Sequence, residues 1–125
     1  MADELVLIVD DNEKNVKLAR DVLRFAGFRT LETGTGGEAF LLAAEHLPDL
    51  ILMDIRLPDM DGTMALEQLR KQERTSRIPV VALTSFAMKG DRERFLASGF
   101  DGYLEKPISV KEFPEQVRGF LGATR

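Results

Sequence analysis

The sequence predicts an α/β fold in which helices cover a parallel sheet. Short runs of strand type alternate with amphipathic stretches of helix length along the whole chain, which is typical of repeated βαβ units. Five predicted strands alternate with five predicted helices. With 125 residues, 44% of them hydrophobic and 30% charged, the chain also has the length and composition of one globular domain. We therefore expect a single domain over residues 1–125.

The predicted strands are short, and the first, third and fourth are mostly apolar, as expected where both faces of a sheet are covered. They span residues 5–10, 28–33, 49–54, 79–84 and 101–105. The third contains four large apolar residues in a row and then ends on Asp54, although charged side chains avoid buried strands. This position suggests that the carboxylate has a function.

The first two predicted helices have clear start signals. Asn12 can cap a helix that Gly27 ends. Its apolar stripe consists of Val16, Ala19, Leu23 and Ala26. Thr35 and Glu38 form a capping-box pattern for the second helix, in which each side chain accepts from a free backbone N–H of the other residue, and this helix ends before Pro48.

The third and fourth predicted helices differ in strength. The third spans about residues 62–72, with Met64 and Leu69 among its inward residues. The fourth spans about residues 87–98, where Gly90 and five charged residues between positions 89 and 94 lower helix propensity and leave a thin apolar face. We expect the fourth helix to be the most mobile element.

The start of the fifth helix, within residues 109–121, is ambiguous. Ser109 and Glu112 form another capping-box pattern. Pro114 would then lie in the first turns, where it removes a backbone hydrogen bond and crowds Val110. Either that turn is distorted or the helix begins near Phe113.

Polar residues follow four predicted strands at the point where each strand ends. They are Asp10 and Asp11 after the first strand, Asp54 on the third, Thr84 and Ser85 on the fourth, and Lys106 after the fifth. Because the carboxyl ends of parallel strands meet at one edge of a sheet, we expect these side chains to converge. Each of these residues alone could be a helix cap, a turn residue or a solvated charge. It is improbable, however, that all of them meet at one edge by chance.

Three carboxylates in one place repel one another. Two of them about 4 Å apart repel by roughly 4 kcal/mol at an effective dielectric of 20. Either their pKa values rise or a hard cation joins them, and oxygen ligands of this kind suit Mg²⁺ or Mn²⁺. Lys106 would add positive charge. A carboxylate such as Asp54, held by a rigid strand in such a cleft, suits nucleophilic attack on a phosphoryl group.

Four segments of the chain match a known family in order and spacing: LIVDDNE, LILMDIRLPDMDG, VVALTS and YLEKPI. Together they resemble the CheY-like receiver domains of response regulators in two-component signalling, over essentially the whole chain. DNEKN and SFAMKGDRERF are most similar to single-domain regulators of the DivK type and to the receivers of hybrid kinases. The resemblance implies a flavodoxin-like (βα)5 sandwich of three layers, with a parallel sheet of strand order 2-1-3-4-5.

The resemblance also implies which residues carry the chemistry. Asp54 would accept a phosphoryl group from a phosphohistidine. Asp11, Asp54 and the backbone carbonyl of Arg56 would bind Mg²⁺ directly, Asp10 would help through a water molecule, and Mn²⁺ would be able to substitute. Gly62, which follows Asp61, matches the family's loop. Such a domain is not an enzyme, although it catalyses its own phosphorylation and dephosphorylation.

A second group of residues would sense and transmit the phosphorylation. The resemblance implies that Thr84 hydrogen-bonds the phosphoryl group, that Lys106 pairs with it and that the Lys106–Pro107 peptide bond is cis. Tyr103 would turn inward when Thr84 is drawn to the phosphate. Helix 4, strand 5 and helix 5 would form the surface that partners bind. We also expect Phe86, two residues beyond Thr84, to slow loss of the phosphoryl group.

Other interpretations are weaker. Residues 34–39, GTGGEA, imitate the dinucleotide fingerprint, but that motif belongs on the first βα turn, where Asp10 and Asp11 would repel a pyrophosphate. An aspartyl-nucleophile phosphatase typically has a second Asp two residues after the first, where this chain has Arg56. His46, the one histidine, is expected on the surface. A receiver-fold binding module that signals without phosphate remains as an alternative.

The composition limits partners and location. The net charge is −4 and the basic residues are scattered, so we expect no binding to nucleic acid. No apolar run approaches the roughly 20 residues of a membrane span, and acids stand where a signal peptide would carry basic residues. We expect a cytoplasmic protein that binds a histidine kinase or histidine phosphotransfer protein and a downstream protein target, with no membrane contact.

Overall fold

In the computed structural model, which describes residues 4–85 and 90–123, strands and helices alternate along the chain. In order they are β1 (Leu5–Val9), α1 (Glu13–Phe25), β2 (Arg29–Thr33), α2 (Gly36–His46), β3 (Leu50–Asp54), α3 (Gly62–Lys71), β4 (Val80–Thr84), α4 (Asp91–Ala97), β5 (Gly102–Glu105) and α5 (Phe113–Ala123). Each strand agrees with its predicted bounds to within one residue at either end.

The five strands form one parallel sheet in the order β2-β1-β3-β4-β5. This is the predicted order. In the register of the sheet, Val9 lies opposite Met53, Asp54 lies opposite Leu83 and Thr84 lies opposite Glu105. The carboxyl ends of the central strands therefore lie level with one another, and the loops that follow them share one edge.

Alternate residues of the central strands pack on opposite faces of the sheet. On one face, Ile8, Leu52 and Leu83 pack with α1 and α5. On the other face, Leu7, Met53 and Ala82 pack with α2, α3 and α4. Because both faces are covered, the strands lack the polar alternation of a half-exposed sheet. This arrangement is the three-layer α/β sandwich that the sequence predicts.

The start and end signals of α1 are confirmed. The Asn12 side chain accepts hydrogen bonds from the backbone N–H groups of Lys14 and Asn15, which have no partner within the helix. Gly27, which follows the C-cap residue Ala26, adopts a φ of +101°, a conformation that other residues rarely take. Val16, Ala19 and Leu23 are buried against the sheet.

The prediction for Met64 is wrong. Its side chain is 55% exposed, whereas Leu69 is buried as predicted. The buried face of α3 consists of Gly62, Ala65, Leu66 and Leu69. Because consecutive helical positions are about 100° apart, Met64 lies on the side of α3 opposite this face and points away from the sheet.

The ambiguity at α5 is settled in favour of the later start. The helix begins at Phe113, so Pro114 is its second residue and its missing N–H would have had no helical partner. Ser109 and Glu112 do not begin this helix. The Ser109 hydroxyl accepts from the N–H of Glu112 in a turn that precedes it.

The described part of α4 is short. It begins at Asp91, and its N-cap Gly90 has a φ of +92° and makes no side-chain capping bond. Phe95 is the buried residue of this helix, which agrees with the predicted thin apolar face. The predicted helical residues 87–89 lie outside the described part of the chain.

At the amino edge of the sheet, carboxylates bind backbone groups at strand ends. The side chain of Asp49 accepts from the first N–H of β1 at 2.9 Å. The side chain of Asp101 accepts from the N–H of Val80 at 2.8 Å and from the guanidinium of Arg70 at 3.0 Å. Arg70 also donates to the carbonyl oxygen of Ile78 at 2.7 Å. These bonds join α3, β4 and β5 at the edge away from the predicted site.

None of the helices within residues 4–85 and 90–123 combines the length and the apolar character needed to cross a lipid bilayer.

Candidate functional site

Three carboxylates meet at the carboxyl edge of the sheet. Asp10 and Asp11 follow β1, and Asp54 ends β3. One oxygen from each lies within 4.8 Å of the others. Asp10 and Asp54 are buried, with 3% and 8% of their surface exposed, whereas Asp11 is exposed. The structure thus brings together the three acids that were expected to converge.

Lys106 joins two of these acids. Its Nζ donates to Oδ2 of Asp10 at 2.7 Å and to Oδ2 of Asp54 at 2.8 Å. Its backbone N–H donates to the carbonyl oxygen of Thr84 at 2.7 Å, which attaches the residue to the end of β4. The peptide bond between Lys106 and Pro107 is cis. One ammonium group therefore pairs with two of the three carboxylates.

Backbone amides fix the buried carboxylates further. Oδ1 of Asp10 accepts from the N–H of Asn12 at 2.9 Å, and Oδ1 of Asp54 accepts from the N–H of Arg56 at 3.1 Å. Each buried acid thus has one oxygen on a backbone amide and the other on Lys106. These bonds define side-chain positions before any ligand is present.

Burial and charge pull the pKa values of this group in opposite directions. Burial raises the pKa of Asp54 above its ordinary value, an effect that the hydrogen bonds from Lys106 and the Arg56 N–H oppose without cancelling it. For Lys106, burial lowers the pKa, but the bonds to Asp10 and Asp54 outweigh it, so the pKa is raised. Lys106 is therefore an ammonium ion at neutral pH, and it supports the ionised form of Asp54.

A cleft of about 310 Å³ opens beside this group. Asp11, Asp54, Arg56, Thr84 and Lys106 lie on its walls. The atoms that these residues could offer to a metal ion are carboxylate, carbonyl and hydroxyl oxygens, which are the ligands that Mg²⁺ prefers. The residues present therefore fit a small hard cation next to the Asp54 carboxylate.

Tyr103 of the predicted switch lies outside the cleft. The half-buried side chain of Tyr103 packs against Phe95, with ring centroids 6.2 Å apart, and lies outside the acidic cleft. It lines a separate groove of about 560 Å³ between α4, β5 and α5. Phe86 lies outside the described residues.

The loop after Asp54 folds back on itself, and this requires Gly62. The N–H of Gly62 donates to the carbonyl oxygen of Ile55 at 2.7 Å, and Arg56 forms an antiparallel bridge with Asp61. A Cβ at position 62 would lie 2.7 Å from the carbonyl oxygen of Asp54 and 2.9 Å from Cα of Ile55. Only glycine allows the backbone to pass this close to the Asp54 carbonyl.

The capping box of α2 is half confirmed. The Thr35 hydroxyl accepts from the N–H of Glu38 at 3.2 Å, as predicted. The other half is wrong, because the Glu38 carboxylate accepts from the Thr33 hydroxyl, and the N–H of Thr35 donates to that same hydroxyl.

Sequence reasoning missed Asp59. This residue lies in the loop between β3 and α3, and its two carboxylate oxygens accept from the N–H groups of Gly36 and Gly37 at 2.9 and 3.0 Å. These bonds lower the pKa of Asp59. The two glycines at the predicted start of α2 indicated that backbone N–H groups there needed a partner. No local pattern, however, identifies that partner as an acid more than 20 residues further along the chain. Their amides are thus bound within the chain, which argues further against a pyrophosphate there.

His46 is exposed, as predicted. Its Nε2 lies 3.9 Å from a carboxylate oxygen of the neighbouring Glu45.

Comparison with protein families gives one assignment. The model of the response regulator receiver domain matches residues 6–118. The chain is also 50% identical over 117 residues to the polar-differentiation response regulator DivK of Brucella ovis and to that of Brucella abortus, covering 94% of this chain and 95% of each relative.

Solved structures agree with this assignment. The receiver domain of a sensor histidine kinase from Pseudomonas aeruginosa PAO1, with a magnesium ion coordinated in its active-site cleft, is 37% identical, with a TM-score of 0.87 and coverage of 97% of this chain and 99% of that one. The receiver domain of a Francisella response regulator is 30% identical, with a TM-score of 0.88 and coverage of 98% and 100%.

Proposed function

Because this chain belongs to the family of response regulator receiver domains, which are signalling domains of two-component systems, we propose that Asp54 accepts a phosphoryl group from a phosphohistidine. The donor is a histidine kinase or a histidine phosphotransfer protein. The observation that carries the proposal is the ammonium group of Lys106 between the Asp10 and Asp54 carboxylates, at the wall of an oxygen-lined cleft.

The proposed transfer is a simple exchange of bonds. A carboxylate oxygen of Asp54 forms a bond to phosphorus while the bond between phosphorus and the histidine nitrogen breaks. The electron pair of that bond returns to the imidazole, which keeps or takes up a proton as the neutral leaving group. The product is an acyl phosphate on Asp54, and water later attacks its phosphorus, which releases inorganic phosphate and restores the carboxylate.

The residues around Asp54 have distinct roles in this proposal. The Arg56 N–H and Lys106 hold the carboxylate in place at 3.1 and 2.8 Å, which reduces the entropy lost on reaching the reactive geometry. Lys106 stays charged and pairs with the phosphoryl oxygens. The Thr84 hydroxyl, on the wall of the same cleft, donates to one of these oxygens.

Asp11, Asp54 and the carbonyl of Arg56 would hold Mg²⁺ directly, and Asp10 would contribute through water. When bound, the ion neutralises carboxylate charge and offsets the charge on the phosphoryl oxygens. We extend the proposal to Mn²⁺, because the same oxygen ligands accept it.

Phosphorylation would be transmitted through Thr84 and Tyr103 to the surface formed by α4, β5 and α5. Tyr103 lies between Phe95 of α4 and the groove on this surface, so inward movement of its ring would change both. A useful switch needs a differential stabilisation of a few kcal/mol between the two arrangements. A downstream protein would then bind the altered groove.

Uptake of radiolabel from acetyl phosphate tests the proposal. With Mg²⁺, wild type is expected to retain label, and Asp54→Asn is expected to take up none. Glu67→Gln removes an exposed carboxylate of α3 and serves as a charge-matched control that labels normally. Continuous release of phosphate without retained label would favour a phosphatase, and absence of uptake by wild type would favour a phosphate-independent binding module.

The identity of the donor needs a second experiment. Purified candidate kinases and phosphotransfer proteins carrying labelled phosphohistidine are mixed with wild type and with Asp54→Asn. Rapid transfer to wild type alone would identify a donor, and its rate would separate a preferred partner from a slow one.

A further inference from the structure

Asp59 lies in the loop between β3 and α3, which follows the proposed phosphoacceptor Asp54. Its side chain binds the start of a different helix, α2. Its carboxylate oxygens accept from the N–H groups of Gly36 and Gly37, the first two residues of α2. The first N–H groups of a helix have no partner within it. The Asp59 carboxylate accepts from two of these N–H groups, and the Thr35 hydroxyl accepts from that of Glu38. These three N–H groups of the first turn therefore all have hydrogen-bond partners within the chain.

A second contact joins the same loop to the same turn. A Cβ at Gly36 would lie 2.7 Å from both Cγ and Sδ of Met60, which follows Asp59, and 3.3 Å from Cβ of Ala65. The half-buried Met60 side chain therefore packs where any other residue at position 36 would project. At Gly37 a Cβ would meet only Oδ2 of Asp59, at an ordinary 3.5 Å. The two glycines are thus unequal, because only a Cβ at Gly36 would force Met60 to move.

The segment Gly34–Gly37 also touches the first acidic loop. A Cβ at Gly34 would lie 3.5 Å from Cα of Asp11 and 3.8 Å from the carbonyl oxygen of Asp10. The segment therefore contacts the loop that carries Asp11 at one end and, through Asp59, the loop that carries Arg56 at the other. The proposed metal ligands come from these two loops.

We propose that Asp59 is a positioning residue that holds the β3–α3 loop against the first turn of α2 and thereby sets the distance between the Arg56 carbonyl and the Asp11 carboxylate. At its start the loop is held by the N–H of Ile55, which donates to the carbonyl oxygen of Leu83 at 3.2 Å, and by the bond from the Arg56 N–H to Asp54. Asp59 and Met60 add its contacts with the first turn of α2. This inference rests on the proposed magnesium site and adds the device that keeps its ligands together.

Magnesium binding by the unphosphorylated chain, measured by calorimetric titration, tests this role. Asp59→Ala is expected to weaken Mg²⁺ binding roughly 10-fold, because residues that orient metal ligands typically affect affinity by 10- to 100-fold. Asp59→Asn keeps one acceptor oxygen and should lie between this variant and wild type. The amide resonance of Arg56 is expected to shift in both variants, because its loop moves.

Two glycine variants separate positioning from charge. Gly36→Ala changes no charge but displaces Met60, so it should weaken Mg²⁺ binding as Asp59→Ala does. Gly37→Ala leaves Met60 and Asp59 in place and should bind Mg²⁺ like wild type. A loss caused only by the missing charge of Asp59 would disappear at 1 M salt, where the Debye length is about 3 Å, whereas a positioning effect would persist.

The outcomes distinguish the two levels of the proposal. Wild-type affinity in both Asp59→Ala and Gly36→Ala, with Mg²⁺ binding and label uptake intact in wild type, would overturn the role of Asp59 alone. Absence of Mg²⁺ binding in wild type would overturn the metal site and this inference together. If Asp59→Ala does not fold, as judged by circular dichroism, Asp59→Asn and Gly36→Ala decide the question.

Discussion

The two edges of the sheet carry similar charged groups and use them in opposite ways. At the amino edge, the Asp101 carboxylate accepts from both the Val80 N–H and the Arg70 guanidinium. Its single negative charge is therefore paired with a single positive charge. At the carboxyl edge, Lys106 is shared by Asp10 and Asp54, and Asp11 adds a third carboxylate within 4.8 Å. The first arrangement stabilises the fold, whereas the second leaves negative charge for a cation to neutralise.

This difference shows that the charges at the carboxyl edge reduce the stability of the fold, and that the proposed function needs those charges. Burial raises the pKa of Asp54, which means that the fold disfavours the charge that the proposed function needs. Functional sites commonly combine such costs with rigid supports, and here the supports are Lys106, two backbone amides and the tight loop that ends at Gly62. Substitutions at the two edges are therefore expected to separate stability from function.

The largest expected effect is at Gly62. In Gly62→Ala, the new Cβ would lie 2.7 Å from the Asp54 carbonyl oxygen, and because backbone atoms cannot move aside cheaply, unfolding should become easier by about 3 kcal/mol or more. Urea denaturation followed by circular dichroism measures this loss. Gly119→Ala, at an exposed position of α5 where a Cβ meets nothing within 4 Å, should instead be stabilising by about 0.5–1 kcal/mol. Equal effects in the two variants would contradict the close approach at Gly62.

The amino edge comes next. Asp101→Ala removes the acceptor for Val80 and the partner of Arg70, and should lower the free energy of unfolding by about 1–3 kcal/mol. Label uptake from acetyl phosphate should persist wherever the variant is folded. Glu115→Ala breaks an exposed ion pair with Arg118 on α5 and should leave the denaturation midpoint close to that of wild type. Loss of label uptake in folded Asp101→Ala would show that the two edges are coupled.

At the carboxyl edge, Asp11→Asn should have the opposite signature. Removing one of three repelling charges is expected to raise the free energy of unfolding in EDTA by roughly 0.5 kcal/mol, because the charge is exposed and screened. The same substitution should weaken Mg²⁺ binding roughly 10-fold or more. Calorimetric titration and urea denaturation of the same sample measure both effects. A variant that is less stable in EDTA yet binds Mg²⁺ normally would remove the contrast between the edges.

The smallest expected effect is a change in acid sensitivity at Asp59. Its pKa is lowered by the amides of Gly36 and Gly37, so its ionised form stabilises the fold fully above the unfolded pKa of about 3.8, and this contribution is lost as the pH falls through the lower folded value. Wild type should therefore exceed Asp59→Asn in stability at neutral pH, and the difference should shrink below pH 3.8. Thermal melts from pH 2 to pH 7 measure it. A difference that stays constant over this range would exclude ionisation as its source.

Local patterns predicted the elements well where neighbours in sequence decide the structure. The Asn12 cap and the Gly27 stop of α1 depend on residues within one turn, and both are confirmed. Helix α5 was ambiguous because two start signals, Ser109 and Pro114, lie only five residues apart and a pattern cannot rank them. Met64 was placed wrongly because an apolar side chain does not reveal which face of a helix it occupies.

The functional site also contains features that local sequence predicted and features that it could not predict. The strand ends predicted the convergence of Asp10, Asp11 and Asp54, since parallel strands in register bring their carboxyl ends to one edge. The partner of Asp59 could not be predicted, because the loop and the helix start meet only after α2 and α3 have packed on the sheet.

By itself, the sequence determined the alternation of strands and helices, the parallel sheet and the acids that lie at its carboxyl edge. These features follow from hydrophobic periodicity and strand polarity, which are properties of local segments. The tertiary structure alone decided that Lys106 lies between Asp10 and Asp54, that Gly62 must pass the Asp54 carbonyl, and that Asp59 binds Gly36 and Gly37. The contacts of Lys106 and Asp59 join segments far apart in the chain, and their distances are set by how the helices pack on the sheet.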